Sequence, residues 1–337
     1  MNKLILATAI AASLTSAAAF AKQELNVYTA FEIEQIRELE TAFKAAHPEI
    51  QLNFMRDSTS VVTARLLAEK ANPQADVIWG LAATSMMVLD NQNVLTPYAP
   101  VGLEKLDEKF RDSREVPHWI GMDAWIAGIC FNTIEAKKHG LEKPESWADL
   151  TKAEYQGHIV MPNPASSGTG FLDVSAWLQQ FGEDAGWEYM EGLHKNIARY
   201  THSGSAPCNL AATGEATMGV SFAFRGATLK EQGAPIDMIF PSEGVGWDME
   251  AAAVVNGTSN LKAAQTLIDF AASEDANRAY NKFYPVIAIS ELAKPVAHYP
   301  DNATELMITN DFAWASDNYS NIIKEWTSRF DGKSDAK

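Results

Sequence analysis

His158-Ile-Val-Met-Pro-Asn-Pro-Ala-Ser-Ser-Gly-Thr-Gly170 carries an apolar strand straight into two serines, a threonine and two glycines. A helical pattern, Phe171 to Phe181, follows at once. Where a strand ends and a helix begins, backbone N–H groups lack partners and the helix dipole adds partial positive charge. The segment therefore suits an anion. It contains no lysine and no Gly-Lys-Ser/Thr ending, so it is not a nucleotide P-loop. What remains is a cradle of neutral donors for a small oxyanion.

Working outward, the same arrangement recurs. Leu25–Tyr28 reads as a strand, and Glu32–Ala46 as an amphipathic helix with Ile33, Ile36, Leu39 and Phe43 on one face. Ile50–Met55 is a strand and Val61–Lys70 a helix. Asp76–Trp79 is a strand, Gly80–Ala83 a turn, and Thr84 an N-cap for Ser85–Asp90. Tyr28-Thr29, Asp57–Ser60, Gly80–Ser85 and Ala165–Gly170 each follow a strand and precede a helix. Repeated strand–helix units predict mainly parallel sheets flanked by helices, with ligands at the carboxyl edge of the strands. Further on, Met122–Phe131 is a long strand, Ala216–Phe224 a strand ending at Arg225, and Asp237–Phe240 another. Trp247–Ala251 follows a turn, Leu261–Tyr280 is helical, and the tail to Phe330 is mostly helix. The pattern predicts two lobes joined by strands near 123–130 and 247–256, with the last helices returning to the first lobe. The expected division is 22–125 with 251–337 for lobe 1 and 126–250 for lobe 2.

Lys3, an apolar Leu4–Phe20 and Ala19-Phe20-Ala21 predict a signal peptide, 1–21, cleaved near Ala21, and hence a periplasmic location. Removing Lys3 takes the formal charge from −16 to −17. That acidity argues against nucleic acid or anionic lipid as partner. It leaves a donor-rich site free to hold an anion. Cys130 and Cys208 are the two cysteines, and an exported location permits a disulfide between them. The seven histidines form no HExxH-type pair and no Gly-x-Ser-x-Gly elbow occurs, so no metal, cofactor or enzymatic activity is expected. Among nine tryptophans, Trp247 is flanked by Gly246 and Asp248, an aromatic face beside a carboxylate that suits an ammonium group.

The residues resemble the two-lobed type II solute-binding proteins of ABC transporters, and within them the 2-aminoethylphosphonate-binding branch. The resemblance rests on Glu24–Ala30, Arg56-Asp-Ser-Thr59, Gln74–Ser85, Gly121–Trp125, Gly157–Trp177, Tyr200–Ser205, Gly246–Ala251 and Asn310–Trp314. It implies a monomer with a ligand cleft between the lobes and a membrane permease as partner. For the phosphonate it points to Ser58, Thr59, Thr84, Ser85, Ser166, Ser167, Gly168 and Thr169, with Ser203 and Arg225 as secondary candidates, Arg225 because a guanidinium can grip an oxyanion bidentately. For the amine it points to Asp248, Glu250, Asp123, Tyr28 and Trp247. Iron(III)-binding relatives carry paired tyrosines where this chain has Ser221-Phe-Ala-Phe-Arg225, and phenylalanines offer no phenolate oxygen. An iron or other small-anion binder, or an exported enzyme, is the alternative expectation.

Overall fold

The computed structural model describes residues 23–335; the expected signal peptide lies outside them. Three strand–helix units open the chain: β1 (Gln23–Thr29), α1 (Ile33–Ala46), β2 (Ile50–Arg56), α2 (Thr59–Ala68), β3 (Val77–Ala82) and α3 (Ala83–Asn91). A short β4 (Leu95–Thr96) leads to the long β5 (Ile120–Asn132). The second lobe contains α4 (Thr133–His139), β6 (Ile159–Pro162), α5 (Gly168–Phe181), α6 (Glu183–Asn196), β7 (Ile197–Thr201), α7 (Ala206–Thr213), β8 (Met218–Phe222), α8 (Ala223–Glu231) and β9 (Ile236–Ile239). Then come β10 (Trp247–Val255), α9 (Leu261–Ala271), α10 (Glu274–Tyr280), β11 (Val286–Ile287), α11 (Ala303–Leu306) and α12 (Phe312–Phe330).

Each lobe has three parallel strands at its heart. In the first, β1 lies between β2 and β3; in the second, β6 lies between β7 and β8. β10 enters the first lobe antiparallel between β3 and β5. The first half of β5 pairs with β10 and β11, and its second half with β8 and β9, so one strand serves both lobes. Two large apolar clusters form, one around Leu25, Val27, Trp79 and Phe270 and one around Trp147, Trp177, Tyr155 and Phe171, beside a small third around Cys130 and Cys208. Burial on both faces explains why β3 and most of β5 read as apolar runs, Asp123 being the charged residue inside β5.

Several elements depart from expectation for reasons of pairing. β3 continues through the expected turn to Ala82, because Leu81 and Ala82 pair with Ala251 and Glu250 of β10. Thr84 is therefore inside α3, and Ala82 occupies its N-cap position without a side-chain cap. The strand ending at Phe222 gives way to α8, which puts Phe224 and Arg225 on a helix. One expected helix, 261–280, is two, because Ser273 caps a new start by accepting from the Ala276 N–H. Among the C-terminal helices, α9 and α10 pack in the first apolar cluster, whereas Ala303, Tyr319, Ile322, Trp326 and Phe330 of α11 and α12 join the second, with α12 also lying against α3. Tyr319 meets Phe171 and Trp326 meets Tyr200, while Met307 and Val88 sit at the seam. Cys130 and Cys208 are joined, Cα to Cα 5.3 Å, tying β5 to α7.

Candidate functional site

The carboxyl ends of β1, β2 and β3 face those of β6, β7 and β8 across a cleft. Between them lies about 550 Å³ of space, part of it continuous with solvent. From the first lobe come Ala30, Glu32 and Gln35, then Arg56, Ser58 and Thr59, then Gly80, Ala82, Glu250 and Tyr284. The second lobe supplies Trp125, Ser167, Thr169, Ser203, Gly204 and Phe222. Residues 58–59 and 167–169 begin α2 and α5, so two helix N-termini open towards one cavity. Ser167 caps α5 by accepting from the Gly170 N–H at 3.3 Å. Gly204 is held where a Cβ would strike Thr169 and lie 3.1 Å from the Ser167 Oγ, so the two hydroxyls converge there only because the residue is glycine.

Of the expected phosphonate ligands, Ser58, Thr59, Ser167, Thr169 and Ser203 line the cavity. Gly168 faces Thr59 across the cleft, its missing Cβ only 2.7 Å from the Thr59 Cβ and Oγ1. Thr84, Ser85, Ser166 and Arg225 do not line it. Thr84 Oγ1 donates to Asp248 Oδ2 at 2.5 Å, and Ser85 is buried on α3. Ser166 Oγ donates to the His202 carbonyl at 2.7 Å. Arg225 reaches from α8 to the start of α1, its Nη2 3.1 Å from Glu32 and 2.8 Å from Glu34. It joins the lobes instead of facing a ligand.

The expected amine-side residues scatter more widely, and only Glu250 lines the cavity. Tyr28 is buried, donates to Glu69 at 2.8 Å and carries the Arg65 guanidinium over its ring. Trp247 donates to the Ile308 carbonyl at 2.9 Å and packs edge-on against Phe312. Asp248 closes the start of α3. Burial pushes its carboxyl up to about 6, against the Thr84 hydroxyl and the Met249, Thr84 and Ala83 amides, which hold it down. Asp123 is buried directly opposite Glu250 in the strand register. Burial first, and then the Glu250 charge, hold the Asp123 carboxyl well above the usual range. Glu250 accepts from Gln35 Nε2 at 3.0 and 3.2 Å and from the Tyr284 hydroxyl at 3.1 Å. Burial nonetheless pushes it up to about 7.

Among the described residues, Arg56 brings the one guanidinium on the lining. Its Nη2 donates to Glu32 at 3.0 Å and its Nε to the Phe31 carbonyl at 2.7 Å. Glu32, Gln35, Arg56, Gly204 and Tyr284 also line the cavity, and no sequence motif marks them as ligand groups. A capping box explains two of them: the Glu32 N–H donates to Gln35 Oε1, an arrangement visible as Glu-x-x-Gln at a helix start. Tyr284 lies far along the chain, with no local pattern to mark it. Among the described residues no group of three or more His, Cys, Asp or Glu could hold a metal ion, and no helix is long and apolar enough to cross a membrane.

Residues 72–320 match the bacterial extracellular solute-binding proteins. The chain belongs to that family. Its members serve ABC transporters by binding a solute outside the cytoplasmic membrane, and they are not enzymes. This solute-binding protein is 29% identical over 93% of its length to a probable ABC transporter periplasmic-binding protein of Sinorhizobium fredii, of which it covers 87%. It is 30% identical to an uncharacterized protein of Haemophilus influenzae, over 67% of this chain and 66% of that one. The solved periplasmic binding protein AfuA from Actinobacillus pleuropneumoniae, with fructose-6-phosphate bound, superposes at a TM-score of 0.86 with 30% identity. That match covers 92% of this chain and 99% of AfuA.

Proposed function

We propose that this solute-binding protein captures 2-aminoethylphosphonate between its lobes as a monomer and delivers it to an ABC transporter permease. The observation that supports this most is the charge of the lining. Among the described residues, Arg56 brings the one guanidinium to the lining, already paired with Glu32, and no lysine reaches the cavity. An oxyanion would be held by neutral donors: Ser58 and Thr59 from one lobe and Ser167, Thr169 and Ser203 from the other, with helix N-termini behind them. Glu32 and Glu250 share the cavity with Trp125, Phe222 and Tyr284, so its carboxylates and aromatic faces suit an ammonium group. A compact zwitterion satisfies both sets. The amine role thus moves to Glu250 and Glu32, away from Asp123, Asp248, Tyr28 and Trp247.

A sugar phosphate is the second reading, favoured by the likeness to AfuA. Sugar hydroxyls can donate to Glu32 and Glu250, and a sugar face can stack on Trp125. Titration calorimetry on residues 22–337 separates the two. The expected result is tight binding of 2-aminoethylphosphonate, with ethylphosphonate weaker by roughly 10- to 100-fold, the cost of losing one charge-assisted pair. Fructose 6-phosphate binding more tightly than 2-aminoethylphosphonate would establish the second reading instead. Iron has little support, because Phe222 and Phe224 stand where phenolates would be needed and Phe224 packs against Phe283 and Tyr284.

A further inference from the structure

At the cavity wall two carboxyl groups lie side by side, Glu250 on the lining and Asp123 behind it, with no cation between them among the described residues. Asp123 on β5 and Glu250 on β10 are direct partners in the strand register, and 1% and 9% exposed. Neither Asp123 oxygen has another hydrogen-bond partner among the described residues. The neighbouring strands place Ile287 opposite Asp123 and Ala82 opposite Glu250, neither of which carries charge. Tyr280, Tyr284 and Tyr299 crowd the pair as neutral phenols, and Glu32 adds only further negative charge. Arg56, on the same cavity, is committed to Glu32, and Asp248 along β10 is occupied by Thr84. Two buried carboxylates so placed cannot both be ionised without a counter-charge.

We propose that Asp123 is a specificity-positioning residue that keeps a proton on the Asp123–Glu250 pair while the cleft is empty, and that an ammonium group arriving at Glu250 displaces this proton to solvent. One positive charge enters the wall as one leaves, so the buried charge stays balanced. A ligand without a cation triggers no such exchange, and the wall then presents a largely neutral face to it. The raised proton affinity of both carboxyls agrees with this arrangement. The inference rests on the ammonium-bearing ligand proposed above.

Calorimetry at pH 6.5 in two buffers of different ionisation enthalpy reads the exchange, with 2-aminoethylphosphonate and ethylphosphonate as probes. The phosphonate's own proton, held more weakly by the amine ligand because its ammonium withdraws charge, is titrated for each free ligand at this pH and subtracted before the two are compared. The amine ligand is expected to release up to one additional proton. By linkage its advantage over ethylphosphonate then grows up to about tenfold for each pH unit between 5.5 and 6.5. In Asp123→Asn the amide can donate to Glu250 and leave it ionised, so the additional proton vanishes while the preference for the amine persists. A wild-type preference without the additional proton overturns the inference alone, whether or not the variant folds. So does a folded Asp123→Asn protein that releases the proton as wild type does. Equal affinities for the two probes would remove the ammonium reading and the inference with it.

Discussion

Gly168 is the residue at which closure of the two lobes is most tightly specified. Its φ lies outside the left-handed region, so no backbone demand explains the glycine; contact does. A Cβ there would press on Thr59 of the opposite lobe at a distance real Cβ atoms essentially never show. Gly168→Ala is therefore expected to weaken ligand binding by at least about tenfold, since the donors of the two lobes can no longer meet. Its denaturation midpoint without ligand should stay within roughly 0.5 kcal/mol of wild type, because alanine suits a helix start and open lobes do not feel the clash. Calorimetry and a urea melt on the same preparation check both. At this scale the Ser/Thr donors were legible because they sit at strand ends followed by helix patterns. Glu32 and Tyr284 were not, because what matters about them is where the opposite parts of the chain bring them. Asp248 and Asp123 lie off the lining, one packed at the start of α3 and the other beside Glu250 in the sheet, placements set by distant parts of the chain that no local pattern reveals.

Among the elements, the link between β5 and α7 has the clearest energetic consequence. It spans 78 residues, closes the second lobe on itself, and sits in a small buried cluster with Ala211 and Ile236. Loop-closure arithmetic for that span gives about 4.5 kcal/mol. Cys130→Ser with Cys208→Ser, or reduction, should lower unfolding stability by roughly 2–5 kcal/mol in a urea melt. Loss of helical signal should come first from the second lobe; an unchanged midpoint would show that packing alone holds α7. The strand–helix alternation of both lobes was legible from periodicity. The ends of β3 and β8 were not. β10 arrives from far along the chain and extends β3 by pairing with it, whereas a single-sequence pattern knows only its own neighbourhood. The aromatic run at 222–224 satisfies a strand pattern equally well, and only the α8 contacts decide otherwise.

Across the whole molecule, the lobes meet through Arg225 on Glu32 and Glu34, Ser60 on the Pro164 carbonyl, and His202 on Asp57. Arg225 is 12% exposed at its side chain, so this contact is better shielded from salt than the His202 pair. Arg225→Gln is expected to shift the empty protein towards an open form, seen as a larger radius of gyration in small-angle scattering. Saturating ligand should restore the wild-type radius. An unchanged radius in the empty variant would mean that the ion pairs follow closure without favouring it. The path of the chain has a further consequence, for the order in which it can fold. The first lobe is missing a central strand until residues 247–255 arrive, and the seam is not sealed until α12 is in place. Its opening 120 residues cannot complete their own sheet, and long-range pairing of this kind is slow. A ribosome would thus have made most of this chain before the first lobe could become compact. The lateness of β10 keeps the early chain loose, the state in which a polypeptide can still be threaded through a narrow channel.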